Sequence, residues 1–313
     1  MYFFPDVIAD TASRIGIRAS VGLILLDFPT IWAATADEYL DKGIAVHDRY
    51  KSHPLITTAF APHAPYTVSD EPLKKAASMA FEMDIPLHMH VHETAFEVSD
   101  AESKNGKRPL SRLDDLGLLN SQMLAVHMTQ LNDGEIQRCA EAGLHVIHCP
   151  QSNLKLASGF CPVDKLQKAG VNVALGTDGA ASNNDLDMLA EMQSAALLAK
   201  AVSQNAAALP AHAALHMATL AGAQALGLAD EIGSLTIGKA ADITAIDLSD
   251  IETQPVFDPV SQIVYSTGRE QISNVWVAGQ RLLNNRELTS IDQHDILQKA
   301  YKWGEKIGQA DDE

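Results

Sequence analysis

The sequence is poor in basic residues and has no long apolar run near its amino terminus. Its 313 residues include 23 Lys and Arg against 40 Asp and Glu, which gives a net charge of −17. Such a charge repels phosphate backbones and anionic lipid, so it argues against binding to nucleic acid or to a membrane surface. The longest early apolar run, residues 21–26, has six residues, whereas a membrane span needs ~20.

Cysteine is also scarce, with three residues at positions 139, 149 and 161. An odd and sparse set argues against a disulfide scaffold and favours a reducing compartment. The first residues include Asp6 and Asp10 but no leading Lys or Arg, unlike a secretory signal. We therefore expect a cytoplasmic protein. With 46% hydrophobic and 20% charged residues, the chain has the composition of a globular protein.

Residues 1–190 alternate between helical segments and short apolar runs that end in a polar residue. The clearest helical segment begins at residues 69–72, where acidic residues precede a proline suited to the first helical position. The apolar runs lie at residues 19–26, 56–61, 87–91, 123–126, 144–147 and 171–175. The alternation predicts repeated strand–helix units.

Five polar residues stand at or just after the ends of these runs: His63, His90, His127, His148 and Asp178. Their spacing is about that of one strand-plus-helix unit, ~30 residues. Because no glycine-rich phosphate fingerprint is present, the pattern favours a (β/α) barrel over a dinucleotide-binding sheet. A doubly wound sheet stays an alternative, since periodicity does not show closure. In a barrel, these residues would lie at the carboxyl ends of strands, where active sites are found.

The pattern changes at about residue 205. Residues 206–228 are rich in alanine and are predicted to be helical, whereas 233–247 and 275–283 are typical of short strands with a tight hairpin. We predict three parts: a partial barrel over 1–230, a small β element over 231–288 and a carboxyl-terminal helix over 289–313.

Residues 88–93 (HMHVHE) are the first candidates for chemistry. On a strand, the period of two places His88, His90 and His92 on one face. Three imidazoles inside a barrel are costly unless something binds them, and imidazole is the commonest metal ligand. Glu93 supplies a carboxylate for proton transfer three positions after His90. Hydrogen-bonded core histidines are the alternative interpretation, which we prefer for His88.

Asp178 is the second candidate, because it ends an apolar run and is followed by small residues that leave room for a ligand. Asp-Gly is also an ordinary turn. Paired with His90, however, Asp178 gives a nitrogen and oxygen ligand set suited to Zn²⁺, and less well to Fe²⁺. His63, His127 and His148 taken singly fit a structural role as well as a catalytic one.

Five motifs occur in a fixed order: residues 61–66 (APHAPY), 90–94 (HVHET), 152–156 (SNLKL), 177–184 (TDGAASNN) and 233–242 (GSLTIGKAAD). Together they resemble the amidohydrolase superfamily, and within it the 5-methylthioadenosine/S-adenosylhomocysteine deaminases and the related triazine chlorohydrolases. The resemblance extends over essentially the whole chain. It implies a distorted TIM barrel, one divalent metal that is usually zinc, and hydrolytic loss of ammonia from an aminated ring.

The resemblance also implies roles for individual residues. His90 and Asp178 would bind the metal, and Asp178 would take a proton from the attacking water. Glu93 would protonate a ring nitrogen of the bound substrate, His127 would orient the attacking hydroxide, and His63 would contact the ring. Zinc suits this chemistry because it lowers the pKa of a bound water to about 7.

The implied substrate is an adenosine-type nucleoside, 5′-methylthioadenosine or S-adenosylhomocysteine, which would become the inosine analogue. The run at 20–27 contributes no Arg for an amino-acid carboxylate, which favours the methylthio compound. A triazine or guanine-type deaminase or chlorohydrolase is the alternative. The family also makes a homodimer an expectation.

One feature of the family is absent: no His-x-His motif, which would supply two metal ligands, occurs before His63. The opening residues 1–6 resemble the end of the family's second strand, so we expect a barrel that lacks its first strand or two. An internal methionine taken as the start is the favoured explanation, and a genuine truncation is the other. With two of four ligands, we expect weak metal binding and little activity. An inactive barrel fragment is therefore the non-enzymatic alternative.

Overall fold

The structure is a computed structural model that describes residues 3–310. Six strands form one sheet: β1 (Ala19–Leu25), β2 (Ile56–Pro62), β3 (Leu87–Val91), β4 (Met123–His127), β5 (His145–His148) and β6 (Asn172–Leu175). Four later strands form a second sheet: β7 (Ile243–Ile246), β8 (Ile272–Val277), β9 (Gln280–Asn284) and β10 (Glu287–Leu288).

Helices connect the strands of the first sheet, and others precede, interrupt and follow the strands of the second along the chain. Within the described residues they are α1 (Pro5–Ile15), α2 (Ala36–Tyr50), α3 (Asp70–Met83), α4 (Ala95–Asn105), α5 (Pro109–Asp115), α6 (Asp133–Ala142), α7 (Pro150–Lys155), α8 (Val163–Lys168), α9 (Ala180–Asn183), α10 (Met188–Ser203), α11 (Ala211–Met217), α12 (Leu220–Ala225), α13 (Pro259–Ser266) and α14 (Gln293–Ala310). Side-chain caps fix several helix starts. Thr35, Thr94 and Asn132 each accept a hydrogen bond from the backbone N–H three residues later.

The order of strands in the first sheet decides between the two predicted folds. β1 to β6 are all parallel, and each strand pairs with the next one in the chain. A doubly wound sheet would reverse its strand order at a switch point, and this sheet does not. The order is that of a (β/α) barrel, which confirms the predicted distorted barrel with six strands in the described residues.

The core lies between this sheet and the helices that cover it. Leu23 of β1, Phe60 of β2 and Met89 of β3 are each no more than 1% exposed, and so are Leu73 of α3 and Leu113 of α5. Burial of each such side chain contributes about 1.5–3 kcal/mol. The packing holds the strand ends in fixed relative positions. It therefore also fixes the distances between the polar residues that follow the strands.

The second sheet is antiparallel, in the order β10-β9-β8-β7. An ion pair connects it to the barrel. The Arg18 guanidinium, just before β1, donates to both carboxylate oxygens of Asp242, just before β7, at 2.6 and 3.2 Å. Asp242 also accepts a hydrogen bond from the backbone N–H of Ala278. The last motif of the sequence, residues 233–242, therefore ends on a residue that joins the two sheets.

The carboxyl-terminal helix α14 exposes its apolar side chains, including Ile296, Trp303 and Ile307. Residues 311–313 of the predicted helical part, and residues 1–2 of the predicted barrel part, lie outside the described residues. The division of the chain at residues 230 and 288 stays a prediction. No helix within residues 3–310 is long and apolar enough to cross a bilayer.

Candidate metal and catalytic site

Three potential metal ligands meet at the carboxyl ends of the barrel strands. One ligand atom each from His90, His127 and Asp178 lie within 4.8 Å of one another. His90 is in β3, His127 ends β4, and Asp178 follows β6. The register of β3 and β4 explains part of this convergence, because His90 pairs with Val126 and Val91 pairs with His127. Parallel strands thus bring together residues that are far apart in sequence.

His90 is buried, and its ring is oriented by a backbone carbonyl. Its Nδ1 donates to the carbonyl oxygen of His63 at 2.8 Å. Because a carbonyl only accepts, the proton of the neutral ring lies on Nδ1 and the lone pair lies on Nε2. Burial is the largest of the effects that lower the pKa of His90, to about 4, so the ring is neutral near pH 7. A neutral imidazole with this tautomer is suited to bind a metal through Nε2.

His127 packs beside His90 and faces Glu93. The two imidazole rings are stacked, with centroids 5.4 Å apart and planes at 24°. Nδ1 of His127 contacts Oδ1 of Asn153 at 2.8 Å, and its Nε2 lies 3.8 Å from Oε2 of Glu93. Nε2 of His127 is therefore the ring nitrogen on the side of the site where Glu93 lies.

Asp178 is held by three hydrogen bonds. Its Oδ2 accepts from the hydroxyls of Ser152 and Ser182, both at 2.7 Å, and its Oδ1 accepts from the backbone N–H of Gly179 at 2.8 Å. Burial alone would raise the pKa of Asp178, but the hydrogen bonds from Ser182, Ser152 and Gly179 outweigh it, and the pKa is lowered overall. The carboxylate is thus ionised and fixed in orientation.

Glu93 follows β3 after a sharp turn of the chain. The residue before it, His92, has a φ of 51°, in the left-handed region that costs non-glycine residues about 1–3 kcal/mol. The buried carboxylate of Glu97 stabilises this turn by accepting from the backbone N–H groups of His92 and Glu93, at 3.0 and 2.7 Å. The Glu93 carboxylate accepts from Ser158 at 3.3 Å. The turn directs Glu93 toward His127.

The same turn corrects one prediction from the sequence. His92 was expected to share a face with His88 and His90, but it lies beyond the end of β3. Its Nε2 accepts from the backbone N–H of Leu110 at 3.1 Å, so it stabilises α5 rather than the metal site. The period of two fails here because the left-handed residue ends the strand.

The remaining predicted residues lie nearby. The His63 ring is 5.1 Å from the His90 ring and contacts Thr67 through Nδ1 at 3.1 Å. His148 is buried, and burial is the largest of the effects that lower its pKa to about 3. A cavity of about 880 Å³ adjoins the loop after His63 and includes Tyr66 in its lining. Its lining contains none of the three potential metal ligands.

Several residues that hold the site could not be predicted from the sequence. Ser152 and Asn153 belong to a recognised motif, but nothing in the motif indicates which site residue each one contacts. The sequence does not indicate that Glu97 and Glu191 are buried, because a glutamate in a helix is most often solvent-exposed. Here both are buried: Glu97 accepts a hydrogen bond from the turn before Glu93, and Glu191 accepts one from the start of α7.

Glu191 gives a pH-dependent prediction. Its buried carboxylate accepts from the backbone N–H of Gln151 and the amide of Asn183, and burial is the main effect that raises its pKa from 4.5 to about 7. The folded chain therefore binds this proton more tightly than the unfolded chain, so Glu191 costs stability as the pH rises from about 4.5 to about 7. A difference of this size corresponds to roughly 3 kcal/mol.

We expect Glu191→Gln to gain stability relative to the parent chain as the pH rises through this range. Urea unfolding of both chains at a series of pH values measures the difference. The control is Glu82→Gln, since Glu82 is exposed on α3; its difference from the parent should be constant with pH. A constant difference for Glu191→Gln would contradict the prediction.

The cluster fits a divalent metal by its donor chemistry. It offers two imidazoles and one carboxylate, a nitrogen and oxygen set that suits zinc, and catalytic zinc sites use three protein ligands. His90 presents Nε2 because its Nδ1 is engaged, and Asp178 is ionised and oriented by its neighbours. This is one ligand more than the pair predicted from the sequence.

The chain is similar to known proteins over almost its whole length. A family model, the amidohydrolase family, matches residues 5–282. The 5-methylthioadenosine/S-adenosylhomocysteine deaminase of Teredinibacter turnerae is 52% identical over 98% of this chain and 70% of its own length. An adenosine deaminase from Xanthomonas campestris, solved with bound zinc, matches with a TM-score of 0.98 and 52% identity, over 99% of this chain and 70% of that chain.

A more distant relative also has a similar structure. The atrazine chlorohydrolase from Arthrobacter aurescens, complexed with zinc, matches with a TM-score of 0.88 and 26% identity, over 95% of this chain and 68% of that chain. The family model extends over most of the chain, and the relatives reach about half identity. On this evidence the chain belongs to the amidohydrolase family.

Proposed function

We propose that the chain is a zinc-dependent hydrolytic deaminase of adenosine-type nucleosides, with 5′-methylthioadenosine as the preferred substrate and S-adenosylhomocysteine as the second. The observation that carries the proposal is the convergence of His90, His127 and Asp178 with the carboxylate of Glu93. Two relatives that are 52% and 48% identical to this chain are named as deaminases of these nucleosides, and they support the choice of substrate.

In this proposal His90 and Asp178 hold the ion, as predicted from the sequence. A zinc ion bound there would supply hydroxide at neutral pH, because it lowers the pKa of its water to about 7. Nε2 of His127 orients the attacking water, and Asp178 takes a proton from it. Glu93 protonates a ring nitrogen of the purine, so that negative charge does not build up on the ring. The proton on Asp178 then leaves with ammonia, and the hydroxyl proton on the attacked carbon returns to Glu93 as the carbonyl forms.

The other predicted contacts complete the site. His63 lies beside His90 and contacts one side of the purine ring. Buried side chains behind the donors, such as Asn153, exclude water from that side. The two protein ligands predicted from the sequence imply weak metal binding, which stays an expectation for the zinc measurement below.

The test measures zinc content and ammonia release on purified chain 1–313. Substrates are 5′-methylthioadenosine, S-adenosylhomocysteine, adenosine, guanine and melamine. Near-stoichiometric zinc with ammonia release from adenosine analogues supports the proposal and contradicts the expectation of an inactive fragment. Ammonia from melamine or guanine but from no adenosine analogue would reject the proposed substrate and favour the triazine or guanine-type alternative, for which the similarity to atrazine chlorohydrolase is the specific observation.

Two further expectations stay predictions. The three cysteines are free and buried, which agrees with a reducing, cytoplasmic compartment. The homodimer expected from the family resemblance is tested by the mass of the purified chain in solution.

A further inference from the structure

Asn153 occupies an unusual place for a polar side chain. It lies in α7, is 2% exposed, and its Oδ1 is 2.8 Å from Nδ1 of His127. Its backbone is fixed at both ends, because its N–H donates to the carbonyl of Cys149 and its carbonyl accepts from Ser158. The side chain therefore has a defined position against the imidazole ring.

The contact matters because a neutral imidazole has two tautomers. If Nδ1 carries the proton, the lone pair is on Nε2, which faces Glu93 and the potential metal ligands. If Nε2 carries the proton, His127 can neither bind a metal nor accept a proton there. The group opposite Nδ1 decides between the two states.

We propose that Asn153 is a positioning residue, which holds His127 as the Nδ1–H tautomer by accepting that proton on its amide oxygen. The inference deepens the proposed function, because it specifies how the ring that orients the attacking water obtains its lone pair. The neighbouring ring, His90, is held in the same tautomer by the carbonyl of His63. Two stacked imidazoles thus present Nε2 to one space, one oriented by the backbone and the other by a side chain.

The surroundings of Asn153 explain why its amide keeps this orientation. Among the described residues, Nδ2 of Asn153 and Nδ1 of His148 are buried atoms without a hydrogen-bond partner. Both residues line one cavity of about 10 Å³, which is close to the space that a single water needs. Nδ2 of Asn153 is thus the amide atom without a partner, and Oδ1 is the amide atom that contacts His127.

The test measures the tautomer directly, by two-bond ¹H–¹⁵N correlation spectra of the histidine rings in metal-free, ¹⁵N-labelled chain 1–313 at mildly alkaline pH. The His127 signals are identified by their loss in His127→Gln. We expect the Nδ1–H pattern in the parent chain, both tautomers in Asn153→Leu, and the Nδ1–H pattern in Asn153→Asp, which keeps an acceptor. Asn105→Leu, a change at an exposed position of α4, is the matched control and should resemble the parent.

An Nε2–H pattern in the parent chain, or an unchanged pattern in folded Asn153→Leu, would overturn the proposal. If Asn153→Leu does not fold, as judged by circular dichroism, the parent and Asn153→Asp spectra decide, and Nε2–H in either one rejects it. Where ammonia release is measurable, Asn153→Leu should lower kcat roughly 10–100-fold and leave KM nearly unchanged. The spectra need neither zinc nor turnover, so their result is independent of the deaminase proposal.

Discussion

Glu93→Gln is expected to release ammonia about a thousand times more slowly than the parent chain. Glutamine has nearly the same shape, but it cannot give a proton to the purine nitrogen, and removal of a general acid costs about 10²–10⁴-fold in rate. The contact between Glu97 and the backbone of Glu93 does not involve the Glu93 side chain, so the turn should persist. Zinc content and substrate binding should therefore stay close to those of the parent.

The measurement is kcat for 5′-methylthioadenosine, with zinc determined on the same preparations. Glu82→Gln makes the same chemical change at an exposed position and should leave kcat unaltered. If the Glu93→Gln chain retains more than a tenth of the parent kcat, Glu93 is not the general acid. Loss of zinc together with activity would instead give Glu93 a role in metal binding.

Asp178→Asn is expected to weaken zinc binding by more than about 100-fold. The change removes the only negative charge among the three potential ligands. It also replaces one carboxylate oxygen by an amide nitrogen, which cannot accept the hydrogen bonds that the hydroxyls of Ser152 and Ser182 donate to Oδ2. Changes in residues that merely orient a ligand cost 10–100-fold, so loss of the ligand charge should cost more. Isothermal titration of the metal-free chain with Zn²⁺ measures the effect.

Two further variants calibrate this result. Ser182→Ala removes one of three hydrogen bonds to Asp178 and should weaken zinc binding about 10-fold, at the low end of that range. Asp41→Asn changes an exposed aspartate of α2 and should have no effect. If Asp178→Asn binds zinc as tightly as the parent chain, Asp178 is not a ligand.

The strands of the barrel could be predicted with few errors. The six apolar runs coincide with β1 to β6 within about two residues at each end, because a buried parallel strand needs a continuous apolar stretch and ends where polar residues begin. Helix α3 begins at Asp70, two residues before Pro72, which was expected at the first helical position. Such features depend on neighbours in the chain and are therefore visible in the sequence.

The residues that support the site could not be predicted in the same way. Nothing local indicates that Ser152 and Ser182 donate to one carboxylate oxygen, or that Asn153 contacts a ring 26 residues earlier in the chain. His92 was predicted wrongly for a related reason, since its left-handed backbone depends on the buried Glu97. These contacts join separate strand ends, and their distances follow from the packing of the whole sheet.

The order of residues along the chain already showed the repeated strand–helix units, the family resemblance, and the residue types that can bind a metal or move a proton. Periodicity and residue chemistry are properties of short segments, so they need no knowledge of the fold. The folded structure was needed to show that a ligand atom of His127 lies within 4.8 Å of those of His90 and Asp178, that His92 turns away, and which buried groups orient each ring and carboxylate. Those outcomes depend on distances of a few ångströms between parts of the chain that only the folded barrel brings together.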